Sequence, residues 1–144
     1  LPPLRRVNHR IPIIDKDKRY PFRASRCPEG FREQWNTKRD IFLNSGRWEY
    51  ASGTNAVPIM FLSKPSGGMR NTVDLRARND NTRKMSSPLP DQDAIRRRVA
   101  ASRYFTAMDV EGAYEQVRVE PEDVPYTLMA TPDGTMVSHV LQQG

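Results

Sequence analysis

The stretch AVPIMFLSKPSGGMRNTVDLR, Ala56 to Arg76, decides how this chain is read. Val57 to Leu62 is a short apolar run of strand length. Pro65-Ser66-Gly67-Gly68 is turn chemistry, because proline presets φ at a corner and glycine accepts the positive φ of a tight reversal. Thr72 to Leu75 then reads as the returning strand. The pattern predicts a β-hairpin with a mobile tip, flanked by Lys64 and Arg70. Taken by itself, such a hairpin either closes over phosphates or stands as a solvated charged turn.

The flanks supply the rest of the architecture. Upstream, CPEGFREQWNTKRDIFLNSG (Cys27 to Gly46) carries Pro28 and Glu29 where a first helical turn wants them, and Gly46 where a helix ends. Phe31, Trp35, Ile41 and Phe42 recur at helical spacing, interrupted at Lys38. They are read as core aromatics and aliphatics rather than as a base-stacking platform. Before this helix, Leu1 to Arg26 is rich in Pro and Arg, an extended arm that lies on a neighbouring surface or stays disordered. Downstream, LPDQDAIRRRVAAS (Leu89 to Ser102) predicts a helix capped by Asp91, with Ile95 and Val99 on one face. RYFTAMDV (Arg103 to Val110) reads as a strand ending at Asp109, and Glu111 to Tyr114 as a turn. Glu115 to Pro121 alternates like a strand. Pro125 to Leu141 carries a second hairpin signal at Asp133-Gly134. The order predicts an α+β fold with a mainly antiparallel sheet.

Composition sets bounds. The 144 residues suit one domain, but only 37% are hydrophobic and 12 are prolines, so the core is expected to be small. The net charge of +6 comes in clusters: Arg5, Arg6 and Arg10; Lys16 to Arg23; Lys64 to Arg83; Arg96, Arg97 and Arg98. Such clusters suit a polyanion partner, since phosphate neutralisation releases counterions; the plainer alternative is a soluble basic surface. Cys27 is the only cysteine, so no internal disulfide forms, which fits a reducing compartment. It has no activating neighbour in sequence and is read as a small packing or helix-start residue. His9 and His139 lack metal-ligand spacing. The opening residues hold no apolar core of a signal peptide, and no stretch approaches membrane-spanning length. An intracellular protein, in cytoplasm or nucleus and without membrane partners, is expected.

Taken in order, the basic hairpin LSKPSGGMRNTVDLRARN, then SPLPDQDAIRRRVAASRYFTAMDVEGAYEQVRV, then TPDGTMVSHVLQQG, resemble the reverse transcriptase of gypsy-like long-terminal-repeat retrotransposons, through the fingers and the first part of the palm. The most specific parts are Val73-Asp74-Leu75-Arg76 with Asn79, the Pro88-Leu89-Pro90 lead-in, and Asp109 to Tyr114. LPPLRRVNHRIPIID resembles the segment that joins the upstream polyprotein to that enzyme. The resemblance covers the whole chain and implies a partial polymerase right-hand fold: an arm at 1–26, a fingers-like region at 27–87 and an incomplete palm at 88–144. It implies RNA-directed DNA synthesis, with RNA template, DNA primer, dNTP and the remainder of the pol polyprotein as partners and magnesium as cofactor.

The resemblance also assigns residues. Asp109 is the catalytic carboxylate that ligates metal, assisted by the Val110 carbonyl. Tyr114 packs under the incoming sugar. Lys64 and Arg70 contact the triphosphate, and Gln143 borders the nucleotide. Arg76, Arg96, Arg97 and Arg98 are candidates for nucleic-acid contact, with Arg76 also the obvious partner of Asp74. Read alone, Asp109 is a strand-end aspartate capping the next turn sooner than a metal ligand, and Tyr114 is equally a core ring. The chemistry needs two magnesium ions, and magnesium wants several oxygen ligands. The Tyr-x-Asp-Asp turn that supplies the other carboxylates in the family lies beyond Gly144, and no Asp-Asp pair occurs in the chain. The isolated chain is therefore expected to be inactive. The alternatives are a stand-alone nucleic-acid-binding or interaction module and a partly folded remnant.

Overall fold

The computed structural model describes residues 1–144. A 3-10 turn at Glu29–Phe31 leads into α1, Arg32–Asn44. Then come β1 (Trp48–Tyr50), β2 (Val57–Ser63), β3 (Met69–Val73), α2 (Arg76–Asp80) and α3 (Gln92–Ala100). Two more 3-10 turns, Tyr114–Gln116 and Pro121–Thr127, precede β4 (Met129–Thr131) and β5 (Gly134–Ser138). No helix is long and apolar enough to cross a membrane.

The five strands form one sheet in the order β1-β5-β4-β2-β3. Three of its pairings are antiparallel, and β2 with β4 is parallel. The predicted hairpin is β2–β3, with Ile59 opposite Val73 and Ser63 opposite Met69. Its closing turn is fixed by Lys64 N–H donating to the Gly68 carbonyl at 2.8 Å, with Gly67 at φ +82°. The second hairpin is β4–β5, closed through Thr131↔Gly134. The strands on its two sides, β1 and β2, both come from the expected fingers-like stretch, whereas β4 and β5 come from the palm-like one.

Strand alternation builds two cores, because successive side chains of a strand point to opposite faces. Met129 and Met136 join Trp35, Trp48, Val57, Ile59 and Val73 under α1. Their chain neighbours Ala130 and Val137 face the other way and pack with Ile11, Ala56, Val119, Val124 and Leu128. The sheet is thus covered on one face by α1 and on the other by the N-terminal arm and the 119–128 segment. The arm lies on the body throughout: Ile11 N–H donates to Asp123 Oδ2 at 2.9 Å, Ile14 N–H to the Asn81 carbonyl at 2.8 Å, and Tyr20 N–H to Asn55 Oδ1 at 2.8 Å.

Helix α1 follows its sequence signals. It ends where Gly46, at φ +69°, lets Arg47 N–H reach back to the Phe42 carbonyl and Gly46 N–H to that of Leu43. Trp35 is fully buried, edge-on to Phe61 at 5.3 Å and 5.8 Å from Trp48. The expected stripe needs one correction. Ile41 is 58% exposed, and the inward face runs Trp35, Lys38, Phe42, the i, i+3, i+7 positions of one helix face.

Two strand predictions fail. Residues 103–110 form no strand: Tyr104, Phe105 and Met108 are 81%, 74% and 88% exposed, and no backbone hydrogen bond joins this segment to another strand. A strand exists only as part of a ladder, and none of the five strands lies beside this one. Glu115 to Pro121 keeps only single bridges, Arg118 to Val140 and Val119 to His9. Helix α3 forms as predicted, with Asp91 accepting from Asp93 and Ala94 N–H, yet buries no residue.

Candidate phosphate-binding concavity

The hairpin, α1 and the C-terminal residues meet around an open concavity of about 660 Å³. Lys64 reaches it from the hairpin turn, Arg70 and Asn71 from β3, Gln143 from the chain end and Lys38 from α1. The hairpin is tied to α1 by Met69 N–H donating to Gln34 Oε1 at 2.8 Å. Gln143 is held by its own backbone: its carbonyl accepts from Val73 N–H at 2.9 Å and Thr72 Oγ1 at 3.1 Å. Gly144 makes this approach possible. A Cβ there would collide with the Val73 carbonyl oxygen and lie 2.6 Å from Leu75 Cγ. Residues read from two separate motifs, Lys64 and Arg70 of the hairpin and Gln143 near Gly144, therefore line one surface.

The electrostatics are one-sided. Lys38, Lys64 and Arg70 line the concavity with no carboxylate among its walls, and none of the three forms an ion pair. Lys38 is half-buried and sits 5.2 Å over the Phe42 ring. Burial pushes its ammonium below the ordinary lysine value; Glu115 works in the opposite direction, and Lys64 adds to the lowering. Unpaired cations on a concave wall attract anions, and lysine and arginine donors suit phosphate oxygens.

The Asp109 motif is placed differently. Asp109, Val110 and Tyr114 are exposed and line neither this concavity nor the other main cavities of the chain. Gly112, at φ +60°, turns the chain into the 3-10 turn at Tyr114–Gln116. That turn sends Glu115 toward α1, where it shares a small cavity with Lys38, Asn71 and Gln143. No group of three or more His, Cys, Asp or Glu side chains is arranged to hold a metal ion. Asp109 and the Val110 carbonyl alone do not fit a pair of magnesium ions, which demand several oxygen ligands each.

The remaining candidates are dispersed. Arg76 grips Asp74 in a fork, Nε to Oδ1 at 2.8 Å and Nη2 to Oδ2 at 2.6 Å, and that hydrogen bonding holds the Asp74 carboxyl below the usual range. Arg96, Arg97 and Arg98 are exposed on α3. Arg96 lies 3.1 Å from Asp93 and Arg97 lies 4.0 Å from Asp91, both solvent-exposed pairs. The Cys27 thiol is raised by burial, the opposite of an activated nucleophile. Sequence reasoning missed Lys38, Asn71 and Glu115. For Lys38 the signal was present: a charged residue interrupting an apolar helical stripe.

No protein-family model matches the chain. It is 26% identical over 142 residues to the Transposon Tf2-3 and Tf2-4 polyproteins of Schizosaccharomyces pombe, which covers 99% of this chain and 11% of each relative. The chain thus spans about a tenth of the length of the curated relatives it matches. Among solved structures it is similar to a prototype foamy virus protease-reverse transcriptase, with TM-score 0.73 at 18% identity over 93% of this chain and 18% of that one. It is also similar to a foamy viral protease-reverse transcriptase in complex with double-stranded DNA, with TM-score 0.75 at 16% identity over 97% of this chain and 25% of that one. The resemblance drawn from the motifs is borne out. The relatives are transposon polyproteins, and the fold is that of a region of a protease-reverse transcriptase.

Proposed function

We propose that this chain, a relative of transposon polyproteins folded like a region of a protease-reverse transcriptase, is the fingers and first part of the palm of an RNA-directed DNA polymerase from a gypsy-like retrotransposon. The arm at 1–26, fingers at 27–87 and partial palm at 88–144 are its parts. In the complete enzyme it holds the incoming dNTP against an RNA template and DNA primer. One observation carries the reading: Gln143, distant in sequence from the hairpin that bears Lys64 and Arg70, lines a single basic concavity with them. Lys64 and Arg70 bind the triphosphate, and Gln143 borders the nucleotide. Tyr114 faces the sugar, and Asp109 with the Val110 carbonyl belongs to a metal site completed by carboxylates from elsewhere in the polyprotein. Magnesium, when bound in such a site, neutralises developing phosphate charge. No step of nucleotidyl transfer is assigned to this chain alone, because its own carboxylates are not arranged to hold a metal ion.

Two measurements test the reading. Tripolyphosphate should bind the chain, and Arg70→Gln should weaken that binding several-fold. A primer-extension reaction with magnesium should give no product from the 144-residue chain, and templated incorporation would refute the inactivity. A second reading, a stand-alone nucleic-acid-binding module, is favoured by the exposed Arg96–Arg98 run of α3. It predicts RNA–DNA duplex binding that weakens steeply with salt and loses slope when these arginines are replaced.

A further inference from the structure

Lys38 lies on the inward face of α1 without an ion-pair partner, and it stands at a boundary. On one side it lines the basic concavity with Lys64 and Arg70. On the other it lines a cavity of about 30 Å³, roughly one water molecule in size, together with Glu115. Glu115 is half-buried, and no ion pair closes between the two groups. Because both side chains line that cavity their opposite charges attract, and Lys64 opposes that attraction. A half-desolvated ammonium without a bonded carboxylate is poised between two anions. One is Glu115, on the turn that follows Tyr114. The other is whatever fills the concavity.

We propose that Lys38 is a phosphate-contacting residue whose attraction to Glu115 across their shared cavity gives way to a polyphosphate that enters the concavity. This rests on the reading of the concavity as a triphosphate site and adds a residue and a coupling to it. The long flexible stem of lysine lets its ammonium swing between the two partners without moving α1. Occupancy of the concavity is thereby felt at Glu115, and through the 3-10 turn at Tyr114.

Isothermal titration of the 144-residue chain with sodium tripolyphosphate at low salt tests this. Lys38→Met, which keeps the helix and suits an apolar face, should weaken binding roughly 5- to 10-fold, and Lys38→Arg should restore most of it. Glu115→Gln should tighten binding about 2- to 3-fold by removing the competitor. In the Lys38→Met background, Glu115→Gln should change nothing. Wild-type affinity in Lys38→Met, with Arg70→Gln still weakened, would overturn the role of Lys38 and leave the triphosphate site standing. Equal tightening by Glu115→Gln with and without Lys38 would show a general charge effect and overturn the exchange. No binding by the wild-type chain, or no effect of Arg70→Gln, would overturn the site itself. Circular dichroism melts establish that each variant is folded.

Discussion

Replacing Asp133 should separate the helix from the sheet. This aspartate sits in the β4–β5 turn, and its carboxylate accepts from Trp35 Nε1 at 2.6 Å and Arg39 Nη1 at 2.8 Å, with Arg32 Nη1 at 3.5 Å. All three donors belong to α1. Trp35 is fully buried, so its indole N–H has no solvent to fall back on. A hydrogen bond to a charged acceptor contributes about 1.5–3 kcal/mol, whereas partly exposed ion pairs such as those with Arg39 and Arg32 add at most about 1 kcal/mol. Asp133→Ala should therefore cost about 3 kcal/mol. Asp133→Asn keeps an acceptor for Trp35, loses the charge and should cost about 1 kcal/mol. Urea unfolding followed by tryptophan fluorescence reads both, with the denaturant slope unchanged. The acid limb supplies an independent check. Burial opposes ionisation of Asp133, but hydrogen bonds from Trp35 and Arg39 and the nearby arginine charges outweigh it, leaving the carboxyl below the usual range. A depressed folded-state value means the stabilisation is present above the unfolded value near 4 and is lost as pH falls through the lower folded value. Wild type and Asp133→Asn should converge there. An Asp133→Ala variant within about 0.5 kcal/mol of wild type would show that α1 is not anchored this way.

Three further outcomes follow from the packing. Arg78 is buried, with Nη2 donating to the Leu128 carbonyl at 2.8 Å and Nη1 to Gln142 Oε1 at 2.6 Å. Burial pushes its guanidinium down to about 10, so it stays charged at neutral pH. Lysine lacks the fork that reaches both acceptors, and Arg78→Lys should cost about 2 kcal/mol in urea titrations; a loss below about 0.5 kcal/mol would show that the fork is dispensable. Trp35→Leu, in the centre of the aromatic cluster, should cost about 3 kcal/mol and broaden the thermal transition. Gly46→Ala should cost about 1 kcal/mol by Tm, because φ is +69° there while the nearest atom to a new Cβ, Leu1 Cδ2, is 3.8 Å away.

The legible parts of this protein are those whose signals are local. The Pro65–Gly68 turn, the Gly46 stop, the Asp91 cap and the Asp133-Gly134 reversal each rest on backbone chemistry within a few residues, and each appears where the sequence placed it. The three-residue strand β1 was missed, since its ladder to β5 depends on a partner about 90 residues away. The strand expected at 103–110 failed for the converse reason. Phe105, Met108 and Val110 have strand-like composition, but composition creates no neighbour to pair with.

The candidate site divides along the same line. The motif resemblance marked Lys64, Arg70 and Gln143; residue chemistry alone left the basic hairpin open between closing over phosphates and standing as a solvated charged turn. It also set the expectation that Asp109 lacks carboxylate partners, since no Asp-Asp pair occurs in the 144 residues. Tertiary structure decided which of these groups share a surface. The Val73 to Gln143 hydrogen bond brings the chain end to the hairpin, and helix periodicity turns Lys38 inward beside Trp35 and Phe42. An interruption in an apolar stripe marks a misfit in one dimension. Only the fold sets that misfit between the concavity lined by Lys64 and the cavity lined by Glu115.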